Sequence, residues 1–261
     1  MTEPPVLVER KEAIATLVLN RPDVLNALDY HTLVYFSRLI RDLSQDARNT
    51  RLIIIKGAGR AFCVGADLKE RQTLGEEEVR RNVRAIRDLF TAIERLPQPT
   101  IAMMHGYALG GGFELALACD FRFAQKETQM GLTEVRLGII PGAGGTQRLP
   151  RLIGLHKAKE WILTGRRFTA VEAWEAGLLT GIAERMEDVE RQALDLAHEL
   201  LSNAPLALYA AKWSIHQGLG KALDDALDIE WQAYERLIPT HDRKEALLAF
   251  KEKRPPRFLG M

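Results

Sequence analysis

"GYALGGGFELALACD", residues 106–120, decides how the rest of this chain is read. Gly110, Gly111 and Gly112 stand in a row just where an apolar, helix-competent run begins. Glu114 is the one carboxylate inside that run. A helix start leaves backbone N–H groups without internal partners and carries a partial positive charge. Glycines there let another molecule approach the backbone closely. The combination suits an oxygen that is negative or becoming so. Close packing of a helix on a strand explains the same glycines equally well. Burial would push the Glu114 carboxyl upward unless it is paired, whereas an acid near a helix start can also simply cap it or face water.

Two other stretches raise the same question. "GRAFCVGADLKE", residues 59–70, is a glycine loop after the apolar "LIIIK". It offers backbone N–H groups near Gly65 and Ala66, and one N–H from each loop could clamp a single oxygen. An ordinary strand-to-helix connection is the plainer reading. "GLTEVRLGIIPGAGG", residues 131–145, reads mostly as loop and carries Glu134. Glu114 and Glu134 are the acids that local pattern explains least, and two neighbouring carboxyls can divide acid and base roles. Taken alone, Glu134 is equally a loop acid in water.

Outward from these loops the pattern is α/β. "VLVER" and "AIATLVL" read as strands joined through "KEA" in a hairpin. "YHTLVYFSRLIRDLSQD" places Leu33, Phe36, Leu39, Ile40 and Leu43 at helical spacing. "RLIIIKG", "PTIAMMHG" and "DFRFAQ" read as strands. "EEEVRRNVRAIRDLFTAIERL" is an amphipathic helix with acids at its start, and its charge run reads as a solvated face. "HKAKEWILTG" and "AVEAWEAGLL" read as helices ending at Gly165 and Gly177. Beyond Asp188 only helical patterns follow, until "RPPRFLGM" stops them. Strand–loop–helix units therefore recur through a body, residues 1–195, before an all-helical end, residues 196–261.

Composition narrows the partners. The chain has 261 residues and a net charge of +1, so no global field favours nucleic acid, an anionic membrane or an acidic partner. A chain of this length buries roughly three-quarters of its unfolded surface. Cys63 and Cys119 are too few for a disulfide framework and read as buried thiols suited to a reducing cytosol. The charged N-terminal stretch lacks the apolar core of a signal peptide, and no apolar run is long enough for a membrane span. The expected location is cytoplasmic, or the mitochondrial matrix if a transit peptide has been removed. The six histidines show no metal-ligand spacing, so no metal is expected. There is no G-x-S-x-G, no phosphate-binding lysine loop and no dinucleotide-type G-x-G-x-x-G after a strand.

Taken together, "FCVGADLKE", "HGYALGGGFELALACDFRFA" and "MGLTEVRLGIIPGAGGTQRLPRLIG" resemble, in order and spacing, the crotonase (enoyl-CoA hydratase/isomerase) superfamily. "LNRPDVLNAL", "TGRRFTAVEAWEAGLL" and "LLAFKEKRPPRF" extend the resemblance to nearly the whole chain. It is nearest to the hydratase branch, including the methylglutaconyl-CoA hydratase/AU-rich-RNA-binding type.

The resemblance implies a spiral of ββα turns with a C-terminal helical trimerisation region, assembled as a dimer of trimers. It implies an acyl-CoA thioester substrate whose carbonyl oxygen sits between the N–H groups of Ala66 and Gly111. Glu114 and Glu134 would flank the double bond of a trans-2-enoyl-CoA and add water to it, giving a 3-hydroxyacyl-CoA. Fatty-acid β-oxidation or branched-chain acyl-CoA breakdown would use that step. Ala66, Asp67, Leu68, Lys69 and Gly111 match positions that contact coenzyme A, which is part of the substrate; no separate cofactor is implied. Phe250 and Lys253 match positions that reach a coenzyme A bound to a neighbouring subunit. Double-bond isomerases of the superfamily commonly keep only one of the two glutamates, and this chain has both. The RNA-binding relative presents lysines where Tyr30, Val34 and Arg38 stand here, so RNA binding is not expected. A substrate with a distal carboxylate would need a cation, and Arg71, Arg81 and Arg84 lie in the segment bordering the acyl pocket.

Overall fold

The computed structural model describes residues 3–261. Met1 and Thr2, which head the N-terminal stretch and the 1–195 body read above, lie outside the described residues. The chain opens with the expected hairpin: β1 (Val6–Lys11) runs antiparallel to β2 (Ile14–Leu19), with Val6 opposite Leu19. Asp29 starts α1 (Tyr30–Gln45) by accepting a hydrogen bond from the Thr32 N–H at 2.8 Å. After β3 (Leu52–Gly57) come the short α2 (Leu68–Arg71) and the long α3 (Glu76–Glu94). Glu78 Oε2 reaches back to the Gly75 N–H at 2.9 Å and closes the start of α3.

The next segments repeat a pattern. β4 (Thr100–Met104) and β5 (Tyr107–Leu109) precede α4 (Gly111–Ala118). β6 (Phe121–Gln125) and β7 (Gln129–Gly131) precede α5 (Gly145–Ile153) and α6 (Leu155–Thr164). Then come β8 (Phe168–Thr169), α7 (Ala170–Glu175), β9 (Gly181–Ala183) and α8 (Met186–Leu201). The chain ends in α9 (Pro205–Gly218), α10 (Leu223–Glu235) and α11 (His241–Glu252).

The strands form two sheets. The larger has the order β1-β2-β3-β4-β6-β9 and is parallel from β2 onward; the smaller has the order β5-β7-β8. The β4–β5–α4 and β6–β7–α5 turns thus each place one strand in the large sheet and the next in the small one before the helix returns, as the ββα reading expected. The first turn does the same with residues 61–64. The Cys63 N–H donates to Tyr107 O, and the Leu109 N–H donates to Cys63 O, both at 3.0 Å. This pairing brings the Gly59–Glu70 loop beside the Gly106–Asp120 stretch.

The large sheet is covered on both faces, which is why its strands read as unbroken apolar runs. Ile53 and Ile55 pack with Leu33, Phe36, Ile86 and Phe113 on one side. Leu52 and Ile54 pack with Val189, Ala193 and Ala197 of α8 on the other. Residue 195 therefore falls within a helix that packs on the sheet; the helices that leave the body begin at Pro205. Cys63 and Cys119 are free and buried, and burial pushes both thiols up to about 12.

Two anchors tie the C-terminal helices to the body. Lys212 Nζ on α9 donates to Asp120 Oδ2 at 2.6 Å and to Gln98 O at 2.9 Å. Burial alone would raise the Asp120 carboxyl, but His216, Lys212 and Thr100 together hold it below the usual range. On α11, buried Asp242 accepts the Leu259 and Gly260 N–H groups at 2.8 Å each, folding the non-helical tail back. Elsewhere α9–α11 expose large apolar side chains, including Ile215, Leu223, Leu227, Trp231 and Phe250. Among the described residues, no helix is long and apolar enough to cross a membrane.

Candidate active site

The two glycine loops meet. A side chain on Gly65 would strike the Gly111 nitrogen at 2.6 Å, and one on Gly111 would lie 3.6 Å from the Ala66 nitrogen. At position 65 only a residue without a Cβ allows this approach, and Gly65, at φ +86°, also needs the left-handed backbone that glycine adopts without strain. Gly112 is tighter still: a Cβ there would sit 2.0 Å from Cys63 O. The run Gly110–Gly112 therefore serves both readings left open by the sequence. It permits close packing, and that packing places two N–H groups side by side at the start of α4. Among the described residues neither the Ala66 nor the Gly111 N–H has a recorded protein acceptor. Both residues line a cavity of about 1270 Å³.

Glu114 projects from the first turn of α4 into that cavity and is only 2% exposed. Its Oε1 accepts the Ala143 and Gly145 N–H groups at 2.8 Å each. Burial raises its pKa, while those two N–H groups and the charge of Arg148 work against the rise. Glu134 lines the same cavity. The sequence read residues 131–145 as mostly loop; Glu134–Leu137 instead forms one turn of 3₁₀ helix, closed by Gly138 in the left-handed conformation. Glu134 is buried, its Oε2 has no hydrogen-bond partner among the described residues, and burial followed by the charge of Glu114 raises its pKa to about 7. The site thus brings together a pair of unengaged N–H donors and two coupled carboxyls with different environments. That set can stabilise a developing oxyanion while moving a proton on either side of it.

The other sequence-derived residues divide. Asp67, Leu68 and Lys69 line the cavity beside Ala66. The Asp67 carboxylate itself is engaged: it caps α2 through the Lys69 and Glu70 N–H groups and pairs with Arg21 at 3.1 Å. Lys69 is exposed and has no recorded ion-pair partner among the described residues. Phe250 and Lys253 stand at the far end of α11, away from the cavity of their own chain, with Phe250 87% exposed. Of the three arginines near the acyl segment only Arg71 lines the cavity. Arg81 instead lies 3.8 Å over the Tyr30 ring. An apolar part of the wall comes from Val79, Val83 and Ile86 of α3 and from Leu137, Ile139 and Ile140 at and after the 3₁₀ turn, while Asp23, Arg60, Thr133 and Arg167 also line the cavity.

The sequence reading missed the Ala143 and Gly145 donors. Their signal was present in "PGAGG", a second glycine-rich turn within reach of a lone acid. Arg148 and Glu94, described below, had no local signal, because their partnership spans 54 residues.

A large, mostly parallel sheet, a small companion sheet and two abutting glycine loops are the architecture of crotonases, and the chain belongs to the enoyl-CoA hydratase/isomerase family, whose model matches residues 9–260. YngF of Bacillus subtilis (strain 168) is 47% identical over 253 residues, covering 97% of this chain and 96% of the relative. Human mitochondrial methylglutaconyl-CoA hydratase is 45% identical over 257 residues, covering 97% of this chain and 76% of that protein. The 1.8 Å crystal structure of enoyl-CoA hydratase from Bacillus anthracis superposes with a TM-score of 0.95 at 47% identity, covering 98% of this chain and all of that one.

Proposed function

We propose that the chain is a hydratase, adding water across the double bond of a trans-2-enoyl-CoA. The observation that carries this reading is that Glu114 and Glu134 both reach the cavity wall beside the Ala66 and Gly111 N–H groups. Glu114, the carboxylate held by two N–H groups, takes a proton from water as the water oxygen bonds to C3. The C2–C3 π electrons move toward the thioester, and its oxygen gains negative charge. Ala66 and Gly111 stabilise that oxygen, each donor worth roughly 3 kcal/mol of barrier. Glu134 then delivers its proton to C2. An isomerase needs one group to shuttle a proton between carbons; the presence of both carboxyls favours hydration. Lys69 and the Ala66–Leu68 backbone would hold coenzyme A. Loss of enoyl absorbance in the ultraviolet measures the reaction. Glu134→Gln should reduce it by at least a hundredfold; near wild-type hydration by that variant would refute the paired-carboxyl reading.

A second reading concerns the acyl group, and Arg71 favours it. This guanidinium lines the cavity, acts electrostatically on Glu134 and has no ion-pair partner among the described residues. A distal carboxylate on the acyl chain, as in methylglutaconyl-CoA, would supply that partner. Comparing kcat/KM on crotonyl-CoA and 3-methylglutaconyl-CoA, for wild type and Arg71→Met, separates the cases. If Arg71 serves the distal carboxylate, the preference for the charged substrate collapses in the variant.

The exposed apolar faces of α9–α11 support assembly with further copies of the chain, with a hexamer of two trimers as the expected form. Phe250 and Lys253 would then face a neighbour's site rather than their own.

A further inference from the structure

Behind the Glu114 loop lies an ion pair that the hydration chemistry does not itself use. Arg148, on α5, donates from Nε and Nη2 to the two carboxylate oxygens of Glu94, on α3, at 2.9 and 2.8 Å. Its side chain is 13% exposed. The same guanidinium donates from Nη1 to Ala143 O at 2.7 Å. Ala143 is one of the two residues whose N–H groups hold Glu114. Between them stands Gly144 at φ +110°, where a Cβ would lie 2.0 Å from Arg148 Nη1. Arg148 therefore fills the space beneath the loop, where a side chain at position 144 would collide with it.

We propose that Arg148 and Glu94 are a positioning pair that sets both the place and the charge state of the Glu114 carboxylate. This rests on the hydratase reading of the site. The bidentate pairing fixes the guanidinium plane. The plane fixes the Ala143 carbonyl and with it the Ala143–Gly144 peptide, which joins the two peptides whose N–H groups hold Glu114. Arg148 also contributes positive charge near Glu114, and Glu94 cancels part of it. The groups acting on Glu114 are thus Arg148 from α5 and Glu134 from the 3₁₀ turn, with Arg71 of α2 acting on Glu134. Those acting on Glu94 are Arg148, His216 of α9 and Arg95.

The two members of the pair should move the pH profile in opposite directions. Arg148→Gln removes the positive charge, so the acid limb of kcat moves up by about one pH unit. kcat at the optimum falls roughly tenfold to a hundredfold, as a misaligned carboxylate implies, while KM stays within about threefold. Glu94→Gln keeps an acceptor for Arg148 but unmasks its charge, so the acid limb moves down. Arg148→Lys restores the limb but not the full kcat, because an ammonium cannot reproduce the planar fork. Each variant is first checked by circular dichroism and thermal melting. Should Arg148→Gln not fold, the Glu94→Gln and Arg148→Lys profiles decide. A loss carried by KM, or limbs that move the same way in both charge-removing variants, overturns the proposal. So does a limb shift that disappears when His216→Asn is added, since the titration would then belong to His216. The hydratase reading fails separately, if Glu134→Gln retains activity.

Discussion

Glu114 and Glu134 share one cavity but not one environment: Glu114 Oε1 accepts two backbone N–H groups at 2.8 Å, whereas buried Glu134 Oε2 has no partner among the described residues. The same burial thus leaves one carboxyl supported as an anion and the other favoured as an acid. Burial raises both pKa values, but only Glu114 has the Ala143 and Gly145 N–H groups opposing the rise, so Glu134 is the proton donor in the proposed hydration.

The first consequence is a limit on alkaline activity. With the Glu134 pKa raised to about 7, the free protein loses the Glu134 proton as pH rises through that value. In the hydration direction kcat/KM should therefore decline above roughly pH 7, as a property of the coupled pair. A kcat/KM profile on a small enoyl-CoA from pH 5 to 9 checks this. A flat profile to pH 9 would contradict the assignment of the proton donor.

Stability should carry the same signature. The Glu134 carboxyl goes from an ordinary 4.5 to about 7 on folding, so its neutral form is the one the fold favours. That contribution is complete below the unfolded value and is lost as pH rises through the folded one. The loss amounts to at most roughly 3 kcal/mol by pH 8. Glu134→Gln removes the titrating group, so its melting temperature relative to wild type should climb between pH 5 and pH 8. Parallel melts at the two pH values measure the difference directly.

Two adjacent glycines should fail in different ways. An added Cβ on Gly111 meets only ordinary or slightly tight contacts, 3.3 Å from Gly65 Cα and 3.6 Å from the Ala66 nitrogen. Gly111→Ala should therefore fold but crowd the gap between the two donors, lowering kcat by up to roughly a hundredfold. On Gly112 the Cβ would collide with Cys63 O at 2.0 Å. Gly112→Ala should lose roughly 1–3 kcal/mol or more of stability through overpacking, or fail to accumulate as folded protein. Melting temperature and kcat measured together distinguish the outcomes.

The C-terminal helices yield a prediction about assembly. Trp231 and Leu227 lie on α10 with 57% and 50% of their surfaces exposed. If they meet further copies of the chain, Leu227→Glu paired with Trp231→Glu should lower the mass seen by light scattering. A double variant with unchanged mass would remove α10 from the interface.

How far the sequence carried this reading depended on the range of each interaction. Helices with an uninterrupted stripe, α1 and α3, were legible, as were strands buried on both faces, such as β3. α5 was hidden because Pro150 sits inside it and glycines precede it. β5, β7, β8 and β9 span only two or three residues each, too few for a period to show. At the site, Glu114 stood out because a lone acid in an apolar helix contradicts its surroundings. Glu134 reads from sequence as a loop acid, since a single 3₁₀ turn has no repeat of its own. Which of Arg71, Arg81 and Arg84 would reach the cavity was beyond pattern: α3 turns Arg81 toward Tyr30, and only packing between α1 and α3 sets that.

The cavity is built from two kinds of wall. The N–H donors belong to tightly packed glycine loops, where a methyl group on Gly65 or Gly112 has no room. The other, apolar side comes from half-buried Val79 and Val83 and from exposed Leu137, Ile139 and Ile140. Changes on that second side create no buried voids and disturb no sheet contact. A laboratory seeking new acyl preferences should therefore diversify those five positions and leave the glycine loops untouched. Libraries built this way should keep most members folded, and natural divergence in substrate range had the same path open to it.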